Sequence, residues 1–162
     1  MSTPAPAARP QVGDPAPEFT AESDTGEPLA LASLRGRPVV LYFYPKDDTS
    51  GCTAEACAFR DAFPRFDAAG AVVVGVSPDS AASHRAFRAK YALPFPLVAD
   101  ADHRVAEAYG VWGERRLYGR TYLGVERTTF VLDRAGRVAR VFPRVRVPGH
   151  AEAVAAAVAE LG

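Results

Sequence analysis

The sequence predicts an α/β fold with a central mixed sheet and helices on both faces. Two observations support this prediction: apolar, β-branched runs alternate with segments of helical spacing, and a late pair of strands precedes a final helix. Strands that alternate with helices form parallel sheets covered on both faces, whereas a late hairpin adds antiparallel strands. The predicted order of elements is therefore βαβαβα followed by ββα.

The first half of the chain contains the two strands with the clearest apolar pattern. Val39–Tyr44 and Ala71–Ser77 are continuous apolar runs, which is typical of strands buried on both faces of a sheet. A turn is predicted before them at Ser23–Gly26. Helical spacing begins between them at Cys52 and passes Pro64, which lacks an N–H group and should kink or shorten the helix.

The second half supplies the remaining elements by the same criteria. Helices are assigned where a capping residue precedes a helical pattern, and strands where apolar residues lie between turn signals. These elements are a helix from Ser80 or Ser83 to about Tyr91, a strand Phe95–Ala99, a helix from Asp102 that ends before Gly110, hairpin strands Thr128–Asp133 and Arg137–Phe142, and a helix from Gly149 to the C-terminus. This order matches a thioredoxin-like fold with additions.

Composition limits the classes of function. The 162 residues, 48% of them apolar and 23% charged, suit a single globular domain, and equal numbers of basic and acidic residues argue against nucleic acid or a membrane surface as the main partner. No apolar run approaches the ~18 residues that span a bilayer. We predict a disordered tail at residues 1–11 and one domain at 12–162. Because the tail lacks an apolar signal segment, we expect a cytoplasmic location.

The only two cysteines lie where a predicted strand passes into a helix. Backbone N–H groups at such a junction stabilise a thiolate, and a reducing compartment favours reactive thiols over a permanent disulfide. Projection at 100° per residue places one cysteine at the N-terminal end of an apolar stripe that should face the core. The stripe consists of Cys52, Ala56, Phe59, Phe63 and Phe66. Two inert buried thiols are the alternative at this point.

The spacing of Cys52 and Cys57 argues against a static disulfide. In an ideal helix the two residues lie about 140° apart around the axis, with their Cα atoms about 8.7 Å apart. A disulfide requires a Cα separation of about 4.4–6.8 Å. A bond between them is therefore allowed only as a transient one, formed when the first helical turn unwinds.

The charges around Cys52 predict that a cation reaches it from elsewhere. Acidic residues outnumber basic ones in the adjacent segment, with Asp47, Asp48 and Glu55 against Lys46, and like charge raises the pKa of a thiol. Arg127 is the best candidate, because it precedes a strand that should neighbour Val39–Tyr44. Three further arginines are assigned to a solvated polar loop, namely Arg115, Arg116 and Arg120.

The segment Tyr42–Asp61 resembles the peroxiredoxins, and more closely the peroxiredoxin Q or bacterioferritin comigratory protein group. The family signature Pro-x-x-x-Thr/Ser-x-x-Cys is met by Pro45, Thr49 and Cys52, and the five-residue spacing to Cys57 is typical of the group. Similarity extends over roughly residues 12–160. It includes Gly13–Phe19, Gly110–Glu114 and Arg127–Asp133, while Ser50 stands where the family often has proline.

The resemblance implies a thioredoxin-dependent peroxidase. Cys52 would attack the O–O bond of hydrogen peroxide or an organic hydroperoxide and become a sulfenic acid, and Cys57 would condense with it to an intramolecular disulfide. Thioredoxin or a similar dithiol would reduce that disulfide. Thr49 would hydrogen-bond the thiolate and the peroxide, Arg127 would lower the pKa of Cys52 and polarise the peroxide, and Pro45 would shield the site from water. The family implies no metal, haem or flavin, and either a monomer or a weak homodimer fits intramolecular resolution.

Two other classes of function are weighed against this one. A thiol–disulfide oxidoreductase on the same fold, without peroxidase activity, would call for a Cys-x-x-Cys motif, which the sequence lacks. A metal-binding protein would need ligand spacing among His84, His103 and His150, and they show none with each other or with the cysteines. We expect these histidines at the surface. A peroxidase is therefore the predicted function.

Overall fold

A five-stranded sheet lies at the centre of the computed structural model, which describes residues 9–161. Most of the predicted tail at residues 1–11 thus lies outside the described residues. The strands are β1 (Thr20–Glu22), β2 (Pro28–Ala30), β3 (Val39–Phe43), β4 (Val72–Ser77), β5 (Leu97–Ala99), β6 (Trp112–Leu117), β7 (Arg120–Val125), β8 (Thr128–Leu132) and β9 (Val138–Phe142). The helices are α1 (Ser50–Ala68), α2 (Ala81–Tyr91), α3 (Arg104–Ala108) and α4 (His150–Ala159), with a 3₁₀ turn at Leu31–Leu34.

The central sheet is mixed and has the strand order β5-β4-β3-β8-β9. β3 pairs in parallel with β4 and antiparallel with β8, so Phe43 at the end of β3 lies opposite both Val76 and Thr128. This confirms the predicted mixed sheet and the predicted proximity of β3 and β8. It also places Arg127, the residue before Thr128, at the edge of the sheet where the chain leaves β3 for α1.

β3 is completely buried because both faces of the sheet are covered. On one face Val40 and Tyr42 pack with residues of α1, α2 and α4, and on the other face Leu41 and Phe43 pack with α3 and Tyr109. Alternating side chains of a strand point to opposite faces, so an uninterrupted apolar run is what two cores require. The two cores fix the position of the C-terminal end of β3, from which a largely exposed loop leads to α1.

The apolar stripe of α1 faces the first of these cores, as predicted. Four of its members are buried and Phe63 is packed partly against the core. Truncating one of the buried rings, such as Phe59, would cost about 3–5 kcal/mol of stability. The helix runs without interruption from Ser50 to Ala68 and contains Pro64, so this proline does not shorten it.

Two antiparallel ribbons were not predicted. β1 and β2 flank the turn that was predicted at Ser23–Gly26, and β6 and β7 form a hairpin that includes Arg115, Arg116 and Arg120. The assignment of these arginines to a loop was therefore wrong. The sequence did not reveal the ribbon, because its strands are largely exposed and carry no apolar alternation. Among the described residues, no helix combines the length and the apolar character needed to cross a membrane.

Candidate active site

Cys52 lies in the first turn of α1, which begins two residues earlier at Ser50. Its side chain is buried, with 2% of the residue exposed. The unpaired backbone N–H groups and the dipole at the start of a helix favour a thiolate there. Burial opposes charge, so a thiolate at this position would need a charged partner within contact distance.

Arg127 is that partner. Its Nη2 donates to the Sγ atom of Cys52 over 3.4 Å, and its Nη1 donates to the Oε1 atom of Glu55 over 2.7 Å. A β-carbon at Gly51 would lie 3.1 Å from the same Nη2, so the absence of a side chain there leaves room for the guanidinium. Of the arginines weighed in the sequence, the structure brings Arg127 to Cys52.

Glu55 is the site residue whose role the sequence did not reveal. It follows Cys52 by three positions on the same side of α1, it is 1% exposed, and within residues 9–161 its Oε2 atom has no hydrogen-bond partner. Burial raises the pKa of its carboxyl from 4.5 to about 7, against the opposing effect of Arg127. Near neutral pH the carboxyl is therefore partly protonated, which leaves more of the Arg127 charge for the sulfur of Cys52.

Cys57 lies on the same helix as Cys52 and is partly exposed. Both cysteines are free thiols in this structure. This is the arrangement that helix geometry predicted, because neighbouring turns of α1 hold the two residues too far apart around the axis. A disulfide between them therefore requires the start of α1 to unwind.

Thr49 and Pro45 lie in the loop between β3 and α1, and both are exposed. Thr49 is the residue that precedes the helix, yet its hydroxyl does not cap it and instead donates to the carbonyl of Lys46 over 2.9 Å. The Thr49 oxygen keeps lone pairs that can accept a hydrogen bond from a peroxide. The structure thus places both residues beside the helix start without a direct bond to Cys52.

Two histidines expected at the surface are buried. His84 is inaccessible to solvent, and His150 lies against the rings of Phe59 and Phe142 with its Nε2 atom 2.9 Å from the hydroxyl of Thr129. Burial, and then the charge of Arg127, lower the pKa of His150 from 6.5 to about 4. It is therefore neutral at physiological pH, and Arg127 remains the cation at the thiol.

A thioredoxin-like sheet with a buried cysteine at a helix start and an arginine on its sulfur defines the class of thiol-dependent redox enzymes. The model of the AhpC/TSA family matches residues 12–141, and the chain belongs to this family. It is similar to "Putative peroxiredoxin bcp" of Coxiella burnetii, with 51% identity over 140 residues that cover 86% of this chain and 93% of that protein.

Two further comparisons agree. "Peroxiredoxin Bcp" of Bacillus subtilis is 45% identical over 140 residues, covering 86% of this chain and 89% of that protein. Among solved structures, peroxiredoxin Q of Xanthomonas campestris superposes with a TM-score of 0.83 at 43% identity, covering 88% of this chain and 90% of the other. The chain is thus a peroxiredoxin of the Q or bacterioferritin comigratory protein group, a peroxidase among the oxidoreductases.

Proposed function

We propose that the chain reduces hydrogen peroxide and organic hydroperoxides through a sulfenic acid at Cys52, which Cys57 resolves and thioredoxin recycles. The observation that carries the proposal is the buried Sγ atom of Cys52 at the start of α1, with Arg127 donating to it over 3.4 Å. The helix start and the guanidinium supply positive potential where the thiolate forms and where charge develops on the peroxide.

In the first step the Cys52 thiolate attacks one peroxide oxygen. The O–O bond breaks, the sulfur is oxidised to a sulfenic acid, and the leaving hydroxide or alkoxide takes up a proton to become water or an alcohol. Arg127 stabilises the thiolate and the breaking bond, and Thr49 accepts a hydrogen bond from the peroxide. Pro45, which has no N–H group to attract water, limits access of solvent to the sulfur.

In the second step the Cys57 thiolate attacks the sulfur of Cys52. The S–O bond breaks, hydroxide leaves and is protonated to water, and a disulfide forms within one chain. A single chain thus completes the cycle, in accord with a monomer or a weak homodimer. A dithiol such as thioredoxin then reduces the disulfide by exchange and is itself oxidised. A reducing compartment such as the cytoplasm supplies that dithiol.

Peroxide consumption in the presence of thioredoxin, its reductase and NADPH tests the proposal. The wild-type protein is expected to oxidise NADPH when peroxide is added, and Cys52→Ser is expected to abolish this turnover. Persistent turnover in Cys52→Ser would show that the nucleophile is misassigned. Reduction of insulin disulfides without peroxide consumption would instead identify a thiol–disulfide oxidoreductase.

A further inference from the structure

The loop that leads into α1 is tied to the rest of the fold by a buried polar cluster around Asp47. The carboxylate of Asp47 accepts a hydrogen bond from the Tyr44 hydroxyl at 2.6 Å and another from the Ser83 hydroxyl at 2.8 Å. The Nδ1 atom of His84 lies 2.7 Å from the same carboxylate. The backbone N–H of Asp47 donates to the carboxylate of Asp79 at 2.9 Å. One loop residue thus contacts four others through buried or half-buried polar groups.

The ring of His84 lies between two hydrogen-bond acceptors. Nδ1 faces the carboxylate of Asp47, and Nε2 faces the backbone carbonyl of Val98 at 2.9 Å. Both partners are acceptors, and a neutral imidazole carries only one N–H donor. His84 thus joins the loop residue Asp47 to α2 through a contact that is shielded from water, and removing the imidazole leaves the buried carboxylate with one partner fewer.

The cluster sits immediately before the part of α1 that must unwind. Asp47 is three residues before the start of the helix at Ser50 and five before Cys52. His84 lies on α2 and Val98 on β5, both outside the first turns of α1 that carry the two cysteines. The next loop residue, Asp48, is exposed and is held by Lys90 and Tyr91 at the surface. Because surface ion pairs contribute little, Asp47 is the last firmly held residue before the helix.

We propose that His84 is a positioning residue, which through Asp47 holds the entrance to α1 and favours the folded arrangement over the unwound one. This inference rests on the proposed peroxidase cycle. In the folded arrangement Cys52 faces Arg127 and reacts with peroxide, whereas in the unwound arrangement it can reach Cys57. The contact between His84 and Asp47 thus promotes the first step and delays the second.

The inference predicts opposite changes in the two steps when the pair is broken. His84→Asn removes at least one of the two polar contacts that the imidazole makes. Loss of a hydrogen bond to a charged group corresponds to about a tenfold change in an equilibrium between two states. We expect disulfide formation to become about tenfold faster, and the reaction of Cys52 with peroxide to become slower. Excess peroxide oxidises a sulfenic acid further to a sulfinic acid. Because faster disulfide formation shortens the life of the sulfenic acid, the variant is also expected to accumulate less sulfinic acid.

Rapid mixing with hydrogen peroxide, acid quenching and intact-mass analysis measure both steps in the full chain. Ser83→Ala serves as the milder variant, because it removes one hydrogen bond to Asp47 from a half-buried position and carries the test if His84→Asn does not fold. Asp100→Asn is the matched control. Asp100 is a buried carboxylate that accepts the backbone N–H groups of Val105 and Ala106 at the start of α3.

The proposal is supported if His84→Asn and Ser83→Ala form the disulfide faster and react with peroxide more slowly, while Asp100→Asn keeps both wild-type rates. It is overturned if both rates fall together, if neither changes, or if Asp100→Asn shows the same opposite changes. A wild-type protein that consumes peroxide without forming a disulfide would refute the proposed cycle instead. The two failures are therefore distinguishable.

Discussion

The buried carboxyl of Glu55 is expected to lower the free energy of unfolding as the pH rises, compared with a neutral side chain at the same position. Its pKa is raised from 4.5 to about 7, so between these values the folded state holds a proton that the unfolded chain has released. The stability that this proton contributes is complete below pH 4.5 and is lost as the pH rises through about 7. At about 1.4 kcal/mol per pKa unit, the whole effect amounts to about 3 kcal/mol.

Glu55→Gln isolates this effect. The amide keeps an acceptor for the Nη1 atom of Arg127 but does not ionise. We expect the free energy of unfolding of wild type to fall by about 2 kcal/mol relative to Glu55→Gln between pH 5 and pH 8. Urea unfolding of both reduced proteins at several pH values measures this difference. The comparison must be between the two proteins, because His150, with its pKa lowered to about 4, destabilises the fold as the pH falls below 6.5 in both.

A difference between the two proteins that stays constant from pH 5 to pH 8 would show that burial does not raise the pKa of Glu55. A wild type that gains stability over Glu55→Gln with rising pH would show that the ion pair with Arg127 outweighs the cost of burial.

Three further substitutions test other contacts. Arg127→Gln is expected to slow the oxidation of Cys52 by about a hundredfold, since a charge-assisted donor at the reacting centre is lost, and stopped-flow rates within twofold of wild type would contradict its role. Thr49→Val is expected to slow the same step by about tenfold while Thr49→Ser does not, and equal rates for both variants would argue against a role for the hydroxyl. Gly75→Ala places a β-carbon 2.8 Å from a methyl group of Leu97, and is expected to lower the free energy of unfolding by about 1–3 kcal/mol in urea titrations; an unchanged midpoint would show that the core yields there.

The parts of the fold that the sequence predicted are those governed by local apolar pattern. β3 and β4 are buried on both faces and appear in the sequence as uninterrupted apolar runs. The stripe of α1 follows from helical periodicity alone. The contact between Arg127 and Cys52 was predictable for a related reason: adjacent strands of one sheet bring their ends together, and Arg127 directly precedes the neighbour of β3.

The polar contacts were not predictable, because they depend on partners far apart in the chain. From the sequence Glu55 counted only as a negative charge near Cys52. Its ion pair with Arg127, which also contacts Cys52, arises from tertiary packing. His84 precedes the buried Phe87 by three positions on α2, a spacing that places both on one face of the helix. That periodicity could have indicated burial, but its partner Asp47 lies 37 residues away.

The exposed β6–β7 ribbon escaped prediction for the opposite reason. Its strands carry charged and polar residues on both faces, and five of the six residues of β7 are not buried. Only the end of the ribbon at Trp112 and Val125 packs against the core, so neither strand shows the alternation that identifies a half-buried strand. Tyr118 and Gly119 form its turn with positive φ angles, and of the two only the glycine is a turn signal in the sequence.

In the proposed cycle Cys52 is oxidised by peroxide and then forms a disulfide with Cys57. Intact-mass analysis of the reduced protein after one equivalent of hydrogen peroxide detects both events. The wild-type protein is predicted to lose two hydrogen atoms, as a Cys52–Cys57 disulfide requires, and Cys57→Ser is predicted to gain one oxygen atom that peptide mapping assigns to Cys52. A wild-type mass that does not change, or an added oxygen that maps to Cys57, would contradict the roles proposed for the two cysteines.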